Sequence, residues 1–124
     1  MQVSDVYQPH LLTCEESDRL PDVARKMAEE KVGALAVVQG ARIVGIISER
    51  DITRAVGAET DPTTVTAGQY ATSGLEVAHL GEDTEQVTYR MLEAGIRHLP
   101  VPDENEVVGM VSMRDLLAAG AWGG

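Results

Sequence analysis

The sequence predicts an α/β fold made of two tandem copies of one strand-helix-strand-strand-helix unit. Two observations carry this. The chain overlays itself without a gap when Gly109 is set on Gly45, an offset of 64 residues, so that KMAEEKVGALAVVQGARIVGIISERDI lies over RMLEAGIRHLPVPDENEVVGMVSMRDL. A fixed internal period is the mark of one supersecondary unit built more than once. Within each copy the apolar residues also change period, from helical spacing at Val23, Ala24, Met27 and Ala28 to short continuous runs such as Ile43 to Ile47.

The elements follow in order. Leu11 to Cys14 reads as a short extended lead-in, and Pro21 suits the first turn of a helix running to about Glu30. Ala34 to Val38 and Ile43 to Ile47 flank a turn at Gln39-Gly40 and read as a hairpin, with a second helix starting just after Ser48. The second copy predicts a strand near Leu75 to Ala78, a helix from about Asp83 to Ala94, strands at Leu99 to Val101 and Val107 to Val111 joined through Pro102 to Asn105, and a helix from Met113 to Ala119. This divides the chain into a first repeat at 1–57, a linker at 58–70 rich in Gly, Thr and Pro, and a second repeat at 71–124. Thr66 is placed to cap a short helix in the linker.

Composition removes several function classes. A net charge of −10 and a pI near 4.6 argue against a duplex nucleic-acid binder, whose affinity comes from Lys and Arg replacing phosphate counterions. With no Phe, one Trp and three Tyr there is no stacking platform for single strands, and the core must come from Val, Ile, Leu, Ala and Met. No apolar run approaches the length of a spanning helix, and MQVSDVYQPH lacks the basic and apolar regions of a signal peptide, so a cytoplasmic, membrane-free location is expected. A lone Cys14 suits a reducing compartment, and it makes no metal site with His10, His79 and His98. No carboxylate pair, Cys/His arrangement or Walker-type loop points to catalysis.

Most identities at the offset are apolar, such as Val23/Val87, Met27/Met91 and Leu35/Leu99, and need only mean a core built twice. The recurrence of Ser48/Ser112, Arg50/Arg114 and Asp51/Asp115 is not explained by packing. Ser followed three residues later by Asp at a strand-to-helix junction fits a capping box, in which each side chain satisfies a first-turn amide. The same geometry also suits a nucleoside phosphate: the arginine favours the phosphate, while the carboxylate accepts hydrogen bonds from the two ribose hydroxyls. Both readings stand at this point.

The motif GIISERD at 45–51 and GMVSMRD at 109–115, each closing a strand-helix-strand-strand-helix unit, resembles the CBS domain, and GIRHLPV at 95–101 is similar to that family's pre-strand signature. The likeness covers all but Ala121 to Gly124 and implies a stand-alone bacterial pair of CBS domains packed with pseudo-twofold symmetry, often called a Bateman module. It implies two clefts for adenosine-type ligands such as AMP or ATP, with an adenine nucleotide as regulatory ligand and no cofactor for chemistry. By the resemblance, Ser48 and Asp51 face Val77 and Ala78, Ser112 and Asp115 face Thr13 and Cys14, and Arg97 with His98 reaches phosphates. Val77 and Ala78 read equally as ordinary core, and Cys14 as a small buried apolar residue. Where the second copy has Arg97-His98-Leu99-Pro100 the first has Gly33-Ala34-Leu35-Ala36, so equal occupancy of the clefts is not expected. A homodimer through the terminal helices, including Leu116, Leu117 and Trp122, and an effector protein as reader of the bound state complete the expectation, with a ligand-free interaction scaffold as its alternative.

Overall fold

Residues 1–40, 42–73, 76–104 and 106–120 are described by a computed structural model of the chain. They divide between two compact units, one formed by Leu12–Leu75 and the other by Met1–Leu11 together with Glu76–Gly124.

In the unit Leu12–Leu75, β1 (Thr13–Glu15) is followed by α1 (Leu20–Glu30), the hairpin β2 (Ala34–Gln39) and β3 (Arg42–Ser48), and α2 (Glu49–Ala58). The strands lie in the order β1-β2-β3, with β1 parallel and β3 antiparallel to β2. Helical spacing puts Leu20, Val23 and Met27 on one face of α1, and that face is buried with Leu35, Val37 and Ile47 of the sheet and Ala55 of α2. A 3-10 turn at Pro62–Thr64 and the short helix α3 (Ala67–Tyr70) complete the unit, Ala67 and Val65 entering the same core. Thr66 does precede α3, and its amide is satisfied by Gln69 Oε1 at 2.8 Å.

The second unit repeats the scheme with α4 (Thr84–Ala94), the hairpin β4 (His98–Asp103) and β5 (Glu106–Ser112), and α5 (Met113–Ala118). Val87, Met91, Leu99, Val101, Val111 and Leu116 form its core, and Asp83 caps α4 by accepting from the Glu85 amide at 3.1 Å. Gly95 ends α4 in the left-handed conformation at φ 67°, where Lys31 ends α1 at φ 58°.

The offset of 64 residues extends beyond the elements that the hydrophobic pattern reveals. A 3-10 turn at Val3–Asp5 bonds back to the loop before α4, with Val3 N–H donating to Glu82 O and Ser4 N–H to Leu80 O, both at 2.9 Å. In the other unit Ala67 N–H donates to Asp18 O at 2.8 Å and Gly68 N–H to Glu16 O at 2.9 Å, at matching positions. Gln8 then exchanges two backbone bonds with Met110, as Thr72 does with Ile46. Residues 66–70, which composition presents as linker, therefore carry structure.

Two expectations are corrected. No strand forms over 76–79; a single bond from Ala78 N–H to Pro100 O at 2.9 Å remains, and Leu75 lies outside the described residues. The cause is Pro100: at the matching position Ala36 donates its amide to Leu12 O at 3.0 Å, and proline has no amide to donate. Leu116 is not an uncovered residue of a terminal helix, because it is fully buried in the core of its own unit, while Leu117 is 52% exposed. Trp122 and Asn105, part of the expected dimer face and of the expected hairpin turn, lie outside the described residues.

Cys14 sits in the core on β1. Burial, then the charge of Asp18, push its thiol up to about 11 from 9.0, against a smaller opposing effect of Lys26. A thiol protonated at neutral pH and shielded from solvent is a poor nucleophile. Alkylation of Cys14 by iodoacetamide at pH 7.5 is expected only at the rate at which the unit opens. Because the folded value is the higher one, its stabilising effect holds below about 9 and is lost as pH rises through about 11.

The glycines that align the repeats are explained by space. A Cβ on Gly109 would lie 2.1 Å from Gln8 O and 2.7 Å from the Tyr7 ring, and one on Gly45 would lie 2.7 Å from Thr72 O. Gly45→Ala is expected to cost about 1–3 kcal/mol and Gly109→Ala more, since backbone must move in both and by a larger distance in the second. Urea denaturation of the two variants reads the difference.

Candidate functional site

Each strand-to-helix junction is held by the pair of residues that the repeat singles out. Ser48 ends β3, and its amide donates to Asp51 Oδ2 at 2.8 Å while its hydroxyl accepts from the Asp51 amide at 3.3 Å. At the other junction Ser112 N–H donates to Asp115 Oδ2 at 3.1 Å and Ser112 Oγ accepts from Asp115 N–H at 3.0 Å. Both capping boxes are complete, so the cap reading of these residues is correct as far as it goes.

The cap uses one carboxylate oxygen. In both residues the other oxygen, Oδ1, is turned away from the helix start and meets a side chain. Asp51 Oδ1 accepts from Arg54 Nη2 at 2.7 Å, and Asp115 Oδ1 accepts from Gln8 Nε2 at 3.2 Å. Asp51 is buried and Asp115 is half-buried. The first-turn amides are more occupied than spacing suggests: Glu49 N–H donates to Gly33 O at 3.0 Å and Met113 N–H to Arg97 O at 2.8 Å. Arg50 and Arg114 lie on the exposed first turns.

Arg97 and His98 are brought to the second junction. His98 is the direct cross-strand partner of Ser112, and the Arg97 carbonyl receives the first amide of α5. At the first junction the same places hold Ala34, the partner of Ser48, and Gly33. Asp115 thus has two basic side chains on the adjoining strand start where Asp51 has two small residues.

The lead-in residues are separated between the units, Thr13 and Cys14 in one, Val77 and Ala78 in the other. Thr13 and Cys14 pair with Ala36 and Val37 in the sheet. Ala78 is fully buried and Val77 half-buried. Sequence reasoning missed what pins them. Lys26 Nζ donates to Thr13 O, and Arg90 donates to Val77 O from both terminal nitrogens at 3.2 and 3.1 Å. Arg90 is itself paired with Glu82 at 2.9 Å. The signal was available, since Lys26 and Arg90 are both basic at matching positions, as Asp18 and Glu82 are both acidic.

Among the described residues no helix is long and apolar enough to cross a membrane, and no cluster of His, Cys, Asp and Glu is placed to hold a metal ion.

Comparison with known proteins agrees with this architecture. The CBS domain family model matches twice, at residues 3–58 and 67–121. Hypoxic response protein 1 of Mycobacterium tuberculosis is 31% identical over 103 residues, covering 82% of this chain and 72% of that protein. The CBS-domain containing protein ATU1752 from Agrobacterium tumefaciens shares the fold at a TM-score of 0.92 and 22% identity, over 97% of this chain and 99% of that one. The CBS domain pair of protein MJ0100, solved in complex with 5-methylthioadenosine and S-adenosyl-L-methionine, superposes at a TM-score of 0.85 with 25% identity, over 98% of each chain. Two matches to one family model, each with its own Ser/Asp junction and a glycine closely approached by a backbone segment distant in sequence, show that this chain belongs to the CBS domain family and carries a tandem pair of CBS domains.

Proposed function

We propose that this CBS pair is a regulatory module that binds an adenine nucleotide, AMP, ATP or a related adenosyl ligand, through its Ser/Asp junctions and passes the bound state to an effector protein, without catalysing a reaction. The carrying observation is the division of labour within each carboxylate: Oδ2 completes the helix cap, while Oδ1 points elsewhere, to a side chain that a ligand can displace. A carboxylate presented this way can accept from the vicinal hydroxyls of a ribose without unravelling the helix start. Arg50, Arg114 and Arg97 supply positive charge and His98 a ring N–H for phosphates, while the half-buried Thr13 and Val77 and the backbone of the buried Cys14 and Ala78 flank the base, as small-molecule sites are mostly apolar with few placed polar groups. The adenosyl ligands of the MJ0100 pair support the ligand class. A cytoplasmic location belongs to the same reading.

One observation favours a second reading, a ligand-free interaction scaffold. Both junctions are internally satisfied, and among the described residues no buried side-chain nitrogen or oxygen is left without a partner, so the fold needs no ligand.

We further propose that the chain forms a homodimer through α4 and α5. Tyr89, Leu92 and Leu117 are 68%, 53% and 52% exposed there, whereas the matching positions of the other unit are Arg25, Ala28 and Thr53. Sedimentation at tens of micromolar is expected to give a dimer that Leu117→Glu weakens; a wild-type monomer contradicts it.

The two functional readings separate on thermal unfolding. A ligand bound only to the native state adds about 2.7 kcal/mol at a hundredfold excess over Kd, so the melting temperature is expected to rise with at least one of AMP, ADP, ATP, NADH or S-adenosylmethionine at millimolar concentration. No shift with any of them supports the scaffold.

A further inference from the structure

We propose that Arg54 is a built-in competitor for the ligand-facing oxygen of Asp51, so that Asp115 is the carboxylate that takes the ribose first. This rests on the reading of both aspartates as ribose acceptors.

The two junctions are alike in the cap and differ in what holds Oδ1. At Asp51 the partner is a guanidinium 2.7 Å away, on a carboxylate only 8% exposed. At Asp115 it is a neutral amide at 3.2 Å from Gln8, an exposed residue. A charged donor to a carboxylate forms a bond roughly twice as strong as a neutral one. A ribose hydroxyl is also a neutral donor, so it replaces Gln8 on equal terms and Arg54 at a loss.

Arg54 is held in place by more than the ion pair. Its guanidinium carbon lies 6.0 Å from the centre of the Tyr70 ring, within reach of a cation-π contact. The Tyr70 hydroxyl in turn donates to Glu59 Oε2 at 2.6 Å, a bond that raises the phenol above its ordinary value. The series Asp51, Arg54, Tyr70, Glu59 therefore links both ends of α2 to α3. Its two middle members do not recur in the other unit. At the matching offset Arg54 becomes Ala118 and Tyr70 becomes Val6. The Asp115 junction also has Arg97 and His98 on its adjoining strand, where the Asp51 junction has Gly33 and Ala34. The charged competitor thus stands at the Asp51 junction, and Arg97 and His98 stand at the Asp115 junction.

The test is calorimetric titration with adenosine, which has no phosphate for Arg54 to attract. Asp115→Asn is expected to weaken wild-type binding more than Asp51→Asn does. In the Asp115→Asn background, Arg54→Ala is expected to tighten adenosine binding by about two- to fivefold, the range of a partly exposed ion pair removed. Ala118→Arg recreates the i,i+3 spacing beside Asp115 and is expected to weaken binding there by a similar factor, with melting temperatures confirming that each variant folds. Arg54→Ala leaving adenosine affinity unchanged or weaker, or weakening AMP alone, overturns the proposal; the second result would make Arg54 a phosphate contact. If neither adenosine nor AMP binds the wild type, the ribose reading itself has failed and this proposal with it.

Discussion

A carboxylate three residues beyond a serine fixes each strand-to-helix junction, and the layout of both candidate sites follows from it. The bond from the serine amide to Oδ2 locks the aspartate rotamer, and that locking determines where Oδ1 points. A cap of this kind contributes about 1 kcal/mol to its helix. The same restraint pre-organises an acceptor for a ligand, which lowers the ordering cost of binding. Stability and recognition are thus drawn from one residue, and neither reading of the Ser/Asp motif excludes the other.

The packing of a segment distant in sequence on each hairpin depends on a second constraint, the lack of a side chain at Gly45 and Gly109. Backbone oxygens of Thr72 and Gln8 occupy the space that a Cβ would need. Those contacts bring residues 66–72 to the first repeat's hairpin and residues 2–8 to the second's, so Gln8 reaches Asp115 although the two are far apart in sequence. Several core positions repeat identically, while the polar residues around the junctions do not. Val23/Val87, Met27/Met91 and Leu35/Leu99 are interchangeable core positions, yet Arg54/Ala118 and Ala34/His98 differ in charge or polarity.

How much of this the sequence discloses depends on the kind of signal. Helices and hairpin strands were legible because apolar periodicity and turn residues act locally, and their observed bounds differ by a residue or two from the reading at Leu20–Glu30 and Thr84–Ala94. The Ser/Asp junctions were legible because the repeat exposed them. The lead-in of the second repeat was misread as a strand, since its apolar run matches the first but the missing amide of Pro100 acts across the ladder. Leu116 was misplaced because helical spacing shows that a face is apolar without showing what covers it. Gln8 was missed because a contact between distant segments leaves no periodic trace, Arg54 because an i,i+3 pair on one helix has no counterpart in the other repeat, and Lys26 and Arg90 because their shared charge at matching positions does not say what they bind.

The account rests on Asp51 and Asp115 being ligand acceptors as well as caps. Calorimetric titration of the Asp51→Asn, Asp115→Asn double variant with AMP tests this most directly, because asparagine preserves shape and caps nearly as well as aspartate. The account predicts a melting temperature close to that of the wild type and AMP binding weakened about tenfold or more. Wild-type affinity in the folded double variant would contradict it and leave the two aspartates as helix caps alone.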